Sequence, residues 1–118
     1  MIKERAIAVF PFTDCEVRCL FEVPFAQVSA HIDAKRIVYV TDENIYQKYP
    51  DQFPIGHTIV LPQGEEHKHI ETVMKAIEEL QLMEADRETF ILGVGGGVVT
   101  DVSGFLASIY LRGIRFAF

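Results

Sequence analysis

Residues 89–111 have the sequence TFILGVGGGVVTDVSGFLASIYL, and this stretch decides the fold. Thr89 to Val94 is an apolar run with the composition of a buried β-strand, and Val98 to Leu111 has the apolar content of a helix. The three glycines between them, 95–97, carry no Cβ, so they permit a sharp turn and leave the backbone N–H groups accessible. Strand, turn and helix predict an α/β unit whose turn suits a phosphate or diphosphate at the positive end of the helix.

Asp101 is the only charged residue between this turn and Arg112. An ionised group on an apolar helix needs a partner, and a bound ligand is the partner that we expect. The alternatives are that Asp101 only complements the helix dipole and that the glycines only make a tight turn. Apolar residues lie nearly all round the helix, which predicts that the helix is buried. One apolar stripe consists of Val98, Val102, Phe105 and Ile109, and a second consists of Val99, Leu106 and Tyr110.

Two more strands are predicted before this unit, at Arg36 to Thr41 and at His57 to Leu61. A short helix over Asp42 to Lys48 lies between them, capped by Thr41 or Asp42. A longer helix follows after the second of these strands. Its apolar stripe has helical spacing and consists of Ile70, Val73, Met74, Ile77, Leu80 and Leu82. The charged residues expected on the solvent side are Glu71, Lys75, Glu78 and Glu79.

Strands that alternate with helices predict a Rossmann-like, mostly parallel sheet with crossover helices. Ligands bind such sheets at the carboxyl ends of the strands. Three segments follow strands here: Thr41 to Asn44, the polar loop Pro62 to Lys68, and the glycine turn. Their expected convergence is a second argument for a dinucleotide site. The spacing G-x-G-x-x-G is not met, so the ordinary Rossmann fingerprint does not apply.

The two ends of the chain differ from this pattern. Ile7 to Phe12 and Val17 to Val23 predict an appended antiparallel hairpin joined across residues 13 and 14, and Pro24 to Asp33 predicts a loop or a short helical turn. A strand is expected from Ile114, and it ends on apolar residues in what should be a central strand. We therefore expect one incomplete domain, residues 1–118, with a further domain absent.

Composition narrows the function classes. The chain has 118 residues, nearly half of them apolar, and a formal charge of −6, which disfavours nucleic acid and anionic membranes as partners. No run is long enough to span a bilayer, and no signal peptide is recognisable. Cys15 and Cys19 lie about 13 Å apart if both are on one strand, too far for a disulfide, and two free thiols fit a reducing cytoplasm.

Three motifs together resemble the 3-dehydroquinate synthase family. Residues 95–114, GGGVVTDVSGFLASIYLRGI, resemble a signature that usually begins GGGVVGD and continues with AGF and YxRG. Residues 40–44, VTDEN, and residues 62–68, PQGEEHK, match two further motifs in the same order and spacing. The resemblance covers about residues 36–118, and the joint match is specific although each piece alone would be weak.

The resemblance implies an NAD-binding α/β domain followed by a helical metal-binding domain. Such enzymes convert 3-deoxy-D-arabino-heptulosonate 7-phosphate to 3-dehydroquinate and phosphate in the shikimate pathway of aromatic amino acid biosynthesis. NAD acts as a transient oxidant, and a divalent metal, usually Zn²⁺, polarises oxygens. The metal ligands and active-site lysines should lie beyond Phe118, so no catalytic or metal residue is expected here and the isolated chain should be inactive. The full-length protein is expected to be a cytoplasmic homodimer acting on a sugar phosphate.

The resemblance also implies roles for individual residues. Asp42 should accept hydrogen bonds from the adenosine ribose, and Glu65 and Lys68 should contact the cofactor from their loop. Arg112 should bind an anionic part of the substrate. The resemblance leaves open whether it does so across a dimer interface. The glycine turn should hold the diphosphate, and the full set of expected cofactor contacts is Asp42, Gln63, Gly64, Glu65, Lys68, Gly95, Gly96, Gly97, Val98, Thr100 and Asp101.

Structural alternatives remain for these residues. Asp42 could be only a helix cap, Glu65 and Lys68 only a solvated loop, and Arg112 only a helix-terminal charge. Thr100 stands where the family usually has glycine, and its side chain could cap the helix or contact a ribose. The paired histidines 67 and 69 and the two cysteines are each too few ligands to predict a metal site.

Alternative functions also stay open. A related cyclase would act on another sugar phosphate, and a polyol dehydrogenase of the wider superfamily would accumulate NADH. A nucleotide-binding module without chemistry is the third alternative.

Overall fold

The computed structural model describes residues 7–12 and 15–118. The chain divides into two compact units, one ending at Asp33 and the other running from Ala34 to Phe118. Each unit is described by itself.

The first unit contains the predicted hairpin. β1 (Ile7–Pro11) pairs antiparallel with β2 (Glu16–Leu20), and Phe12 N donates a hydrogen bond to Cys15 O at the end of the ladder. The predicted turn residues, Thr13 and Asp14, lie outside the described residues. β2 ends at Leu20, three residues earlier than predicted.

A short helical segment completes this unit. α1 (Phe25–Val28) is followed directly by a 3₁₀ turn at Ser29–His31. Of the two alternatives for residues 24–33, the helical turn is therefore the one found.

The second unit is built on a four-stranded parallel sheet. Its elements are β3 (Arg36–Asp42), α2 (Glu43–Lys48), β4 (Thr58–Leu61), α3 (Ile70–Leu82), β5 (Thr89–Gly93), α4 (Gly97–Ile109) and β6 (Phe116–Ala117). The strand order is β4-β3-β5-β6. Parallel strands need crossover connections; α2 connects β3 to β4, and α3 connects β4 to β5, as the alternating pattern predicts.

The core lies where α3 and α4 pack against the sheet. Strand residues such as Val38, Val40 and Ile91 are fully buried, and so are Leu80 of α3 and Leu106 of α4. The two central strands, β3 and β5, alternate little in burial, as expected when a parallel sheet is covered on its faces. In the described ranges, no helix has the length and apolar character that crossing a bilayer requires.

Both long helices are more one-sided than the sequence predicts. In α3, Val73, Ala76 and Leu80 are buried, but Ile70, Met74 and Leu82, which were expected in the apolar stripe, are exposed. In α4, Phe105 and Ile109 are exposed, so the prediction of a helix buried all round is wrong. Only the sides of these helices that face the sheet and each other contribute to the core.

The end of α4 also differs from the prediction. The helix stops at Ile109, because a 3₁₀ turn at Tyr110–Arg112 follows in which Leu111 and Arg112 both have positive φ. Backbone bonds from Gly113 N to Tyr110 O and from Ile114 N to Ala107 O stabilise this reversal. β6 then forms the edge of the described sheet beside β5, whereas a central position was expected.

Candidate functional site

The glycine turn lies at the carboxyl end of β5 and leads directly into α4, with Gly96 as the N-cap residue. A Cβ on Gly95 would lie 2.7 Å from Val99 Cγ2 and 2.9 Å from Val99 Cβ. Gly96 and Gly97 face open space, with nothing within 4 Å of a Cβ built there. Gly95 is therefore required by packing, whereas the next two glycines leave the surface of the turn unobstructed. None of the three has positive φ.

The turn is held to the end of β3 by two hydrogen bonds. The buried Thr41 hydroxyl donates to Val94 O at 2.8 Å, and Val94 N donates to Val40 O at 2.8 Å. Thr41 was treated in the sequence only as a candidate helix cap. The polar residue at the end of an otherwise apolar strand was the signal that it has a tertiary partner.

A close approach between helix and strand lies below the turn. Ser103 of α4 is fully buried, and a Cβ on Gly93 would lie 2.6 Å from its Oγ. Ser103 Oγ makes no hydrogen bond within the described part of the chain. Gly93 is thus the glycine that lets α4 pack onto β5, a role that the sequence reasoning did not assign.

Asp42 is the last residue of β3 and the N-cap of α2. Its Oδ1 accepts a hydrogen bond of 2.9 Å from Ile45 N, so the capping alternative is what the structure shows. Capping uses one carboxylate oxygen, and a carboxylate has two. Asp42 also lines the cleft beside the glycine turn, so the cap places a carboxylate at this edge of the sheet.

The loop after β4 forms the opposite side of this cleft. Gly64 has φ of +115°, a conformation that favours glycine, and it lines the cleft with Pro62. A 3₁₀ turn at Glu65–His67 follows, inside the segment predicted as a polar loop. Gln63 is exposed and does not line the cleft.

The cleft therefore joins all three strand ends that were predicted to converge. Its volume is about 120 Å³, and it is lined by Asp42, Pro62, Gly64, Gly96, Gly97, Val98 and Val99. Backbone N–H groups at a helix N-terminus lie on one side, and a carboxylate lies on another. This combination suits a ligand that carries both phosphate and hydroxyl groups.

Lys68 and Asp101 form an ion pair next to this cleft, with 2.6 Å between Nζ and Oδ2. Glu65 Oε1 is 3.7 Å from the same ammonium. Lys68 and Asp101 are roughly half exposed, so the pair ties the loop after β4 to α4 without burying charge. The hydrogen bond and charge of Asp101, and secondarily the charge of Glu65, raise the pKa of Lys68 above its ordinary value of 10.5. The ammonium is charged at neutral pH.

A bound ligand was the expected partner of Asp101. The structure pairs Asp101 with Lys68, another residue of the predicted site, and contact with a ligand stays a prediction.

Thr100 points its hydroxyl back into its own helix. Thr100 Oγ1 donates to Gly97 O at 3.1 Å, and its backbone N donates to Gly96 O. Of the two alternatives for this side chain, capping of α4 is not what the structure shows, because the hydroxyl donates to a carbonyl of its own helix. Val98, another of the predicted cofactor contacts, lines the cleft.

Arg112 lies apart from these residues. It follows the far end of α4, and the 12 steps of about 1.5 Å from Gly97 to Ile109 put about 18 Å between that end and the glycine turn. The same chain does not bring Arg112 into the cleft. Its exposed guanidinium lies on a turn of unusual backbone conformation.

A second depression lies between α3 and α4, and Lys68 and Asp101 line it rather than the cleft at the glycine turn. It has a volume of about 410 Å³, and its other walls are mostly apolar, with Ile70, Val73 and Phe105 among them. His67 and His69 lie close, with ring centroids 6.4 Å apart. Within residues 7–12 and 15–118, no group of three or more His, Cys, Asp or Glu side chains could hold a metal ion.

The parallel sheet, with the glycine turn at a strand's carboxyl end and the cleft beside it, defines a Rossmann-like α/β fold. The 3-dehydroquinate synthase N-terminal family model matches residues 58–118, just over half of the chain. The chain belongs to this family. The resemblance seen in the sequence is thereby confirmed.

Curated relatives agree. A 3-dehydroquinate synthase of Saccharolobus solfataricus is 42% identical over 79 residues, which are 67% of this chain and 22% of that protein. One of Pyrococcus abyssi is 47% identical over 68 residues, 58% of this chain and 19% of that protein. The chain therefore spans about a fifth of the length of these relatives.

Solved structures share the fold. A 2-deoxy-scyllo-inosose synthase aligns with a TM-score of 0.75 and 24% identity over 94% of this chain and 35% of that one. A 2-epi-5-epi-valiolone synthase from Streptomyces hygroscopicus subsp. jinggangensis, with NAD⁺ and Zn²⁺ bound, aligns with a TM-score of 0.60 and 26% identity. That match covers 75% of this chain and 27% of the other. The predicted fold class is confirmed.

Proposed function

We propose that residues 1–118 are the NAD-binding part of a 3-dehydroquinate synthase. The observation that carries this proposal is the cleft in which Asp42, Gly64, Gly96 and Gly97 come together at three strand ends, in a chain that belongs to this family. The whole enzyme would convert 3-deoxy-D-arabino-heptulosonate 7-phosphate to 3-dehydroquinate and phosphate.

The glycine turn fits a diphosphate. A Cβ at Gly96 or Gly97 would point into open space, so the backbone there is accessible to a bulky anion. The N–H groups of the first turn of α4 have no acceptor within the helix, and the helix dipole favours negative charge at this point. A diphosphate here would be bound by the backbone, which explains how a chain with a net charge of −6 can hold it.

The side chains around the turn would orient the rest of the dinucleotide. Asp42 would accept hydrogen bonds from a ribose diol through the carboxylate oxygen that does not cap α2. Lys68 and Asp101 would bind next to the diphosphate as a donor and an acceptor, with Glu65 beside them. When bound, NAD supplies a transient hydride acceptor.

The remaining functions belong to the whole protein. We place the divalent metal, Zn²⁺ in our proposal, in the part of the relatives' length that this chain does not span. Arg112 would bind the phosphate of the sugar substrate, and because it lies far from this chain's own cleft, it would do so in a homodimer. The isolated chain would then release no phosphate. Two free cysteines, Cys15 and Cys19, fit a cytoplasmic enzyme.

Titration calorimetry of the folded chain with NAD⁺ tests the cofactor proposal. Asn caps a helix as well as Asp does, so Asp42→Asn keeps the cap and removes the carboxylate. We expect about tenfold weaker NAD⁺ binding, because a hydrogen bond to a charged group contributes about 1.5–3 kcal/mol. The exposed Glu43→Gln in the same helix is the matched control and should bind normally. No NAD⁺ binding by a chain that circular dichroism shows to be folded would refute the proposal.

A related sugar-phosphate cyclase is the second candidate, because the solved structures with this fold include enzymes named for other cyclitol products. Incubating the full-length protein with 3-deoxy-D-arabino-heptulosonate 7-phosphate distinguishes the two. A 3-dehydroquinate synthase should release phosphate from this sugar without accumulating NADH, whereas a cyclase for another sugar should leave it unchanged. Net NADH formation with a polyol would instead indicate a dehydrogenase.

A further inference from the structure

The turn after α4 holds two adjacent residues in a left-handed conformation. Leu111 has φ of +45° and Arg112 has φ of +67°, the one such pair of neighbouring non-glycine residues in the ranges 7–12 and 15–118. A Cβ makes this conformation unfavourable, so the surrounding structure must enforce it, and enforced conformations of this kind cluster at functional sites. The backbone at Arg112, a residue with a proposed contact to the substrate, therefore requires an anchor.

The anchor does not come from the Arg112 side chain, which is exposed. Two main-chain bonds close the turn instead. Gly113 N donates to Tyr110 O at 2.8 Å, and this bond closes the turn itself. Ile114 N donates to Ala107 O at 2.8 Å and returns the chain to α4. Both bonds enclose Tyr110, the residue at which the chain leaves the helix, so the geometry of the turn follows from the place where Tyr110 is held.

Tyr110 is held in the core. It is 5% exposed, and its hydroxyl donates a buried hydrogen bond of 2.7 Å to Ala85 O. Burial, with a smaller effect of the Asp86 charge, raises the pKa of Tyr110 above its ordinary value of 10.0, so the hydroxyl keeps the proton that it donates at neutral pH. The bond joins the end of α4 to a residue 25 positions earlier in the chain.

The acceptor of this bond is itself fixed by the end of α3. Ala85 N donates to Leu80 O at 2.9 Å. Glu84, with φ of +56°, donates from its N to Gln81 O at 3.0 Å. These two bonds form the Schellman motif that commonly ends a helix. The carbonyl of Ala85 thus has a set position, and Tyr110 bonds to a rigid partner rather than to a free loop.

We propose that Tyr110 is a positioning residue for Arg112. Its bond to Ala85 holds the reversal after α4, and the reversal holds the Arg112 guanidinium where it meets the phosphate of the sugar substrate. This inference rests on the proposed function, in which Arg112 binds that phosphate. It adds a buried residue that touches no substrate, through which the anion contact depends on the end of α3.

Steady-state kinetics of the full-length protein with 3-deoxy-D-arabino-heptulosonate 7-phosphate tests the proposal. Tyr110→Phe keeps the buried ring and removes the hydroxyl. We expect KM for the sugar to rise about tenfold and kcat to change by less than about twofold, because the guanidinium is no longer held in place for the phosphate. NAD⁺ affinity should stay the same, since the length of α4 separates Tyr110 from the glycine turn.

Ile59→Val is the matched control for stability. It removes one methyl group from a fully buried side chain in β4, at the opposite edge of the sheet from β6. If both variants lower the urea midpoint and only Tyr110→Phe raises KM, the effect is one of positioning. A KM raised equally by Ile59→Val would overturn the proposal, because general loosening of the fold would then explain it.

A double variant shows whether Tyr110 acts through Arg112. Arg112→Ala should raise KM by more than Tyr110→Phe does, and adding Tyr110→Phe to Arg112→Ala should change KM by less than about twofold. An undiminished effect in the double variant, or an unchanged KM in Tyr110→Phe while Arg112→Ala raises it, overturns the positioning role and leaves the proposed function standing. A native full-length protein that releases no phosphate from this sugar refutes the proposed function, and this inference with it.

Hydrogen exchange of the chain itself tests the turn without substrate. The native amides of Gly113 and Ile114 should be protected by their bonds, and in Tyr110→Phe both should exchange about tenfold faster. The amide of Val94, which donates to Val40 O before the start of α4, is the internal reference and should not change. Equal protection of Gly113 and Ile114 in the two proteins would show that the turn holds without the hydroxyl, and the positioning role would be lost.

Discussion

The two units of this chain, residues up to Asp33 and residues from Ala34, use their apolar side chains in opposite ways. In the second unit they form a core in which Val38, Ile59 and Leu106 are fully buried. In the first unit no described side chain is buried, and Phe10 and Val17 are exposed on a hairpin. Similar amino acids thus form a core in one region and stay at the surface in the other.

The largest expected effect contrasts truncations in the two units. Leu106→Ala removes a fully buried side chain and should lower the free energy of unfolding by about 2–5 kcal/mol. Val9→Ala, at a side chain 48% exposed in the hairpin, should cost less than about 0.5 kcal/mol. Urea unfolding measures both. Equal costs at the two positions would remove the contrast.

A smaller effect is expected within the second unit, at the glycine turn. Gly95→Ala brings a Cβ within 3 Å of Val99 and should cost about 1–3 kcal/mol. Gly97→Ala is the matched control, since its Cβ meets nothing and alanine favours the helix that begins there. The two variants should shift the urea midpoint in opposite directions. A neutral Gly95→Ala would show that Val99 can move away.

The smallest expected effect concerns exposed charge. A raised lysine pKa means that the Lys68–Asp101 pair stabilises the folded chain fully below pH 10.5 and loses this contribution as the pH rises through the raised pKa. In NMR titrations Lys68 should therefore titrate above 10.5, and in Asp101→Asn its midpoint should fall. If the titration midpoint of Lys68 is the same in the native chain and in Asp101→Asn, the ion pair does not persist in solution.

The sequence predicts the second unit well because its elements have strong local signals. The apolar run of β5, the glycine turn and the start of α4 are found within a residue or so of the predicted bounds. The convergence of strand ends followed from the parallel topology alone. The residues Asp42, Gly64 and Gly96 therefore meet as expected, although what they bind is a proposal.

The failures have tertiary causes. The apolar content of α4 does not show which sides of the helix are covered, and Phe105 and Ile109 are exposed. The helix was predicted to reach Leu111, but Tyr110 leaves it because its hydroxyl donates to Ala85 O, 25 residues away in the chain. The hydrogen bond of Thr41 to Val94 likewise joins positions 53 residues apart. No local window of sequence contains both partners of such contacts.

The bond from Thr41 to Val94, with its return bond from Val94 to Val40, has a consequence for ligand affinity. It fixes the end of β3 and the turn after β5 in one arrangement during folding, so the entropy of bringing these two strand ends together is lost before any ligand arrives. A molecule that binds to them meets a preorganised surface and keeps more of its contact energy as affinity. The opposite wall, at Gly64, lies on the loop that the exposed Lys68–Asp101 ion pair ties to α4. An exposed ion pair is a weaker anchor than a buried hydrogen bond, so adjustment to different ligands would begin at this wall.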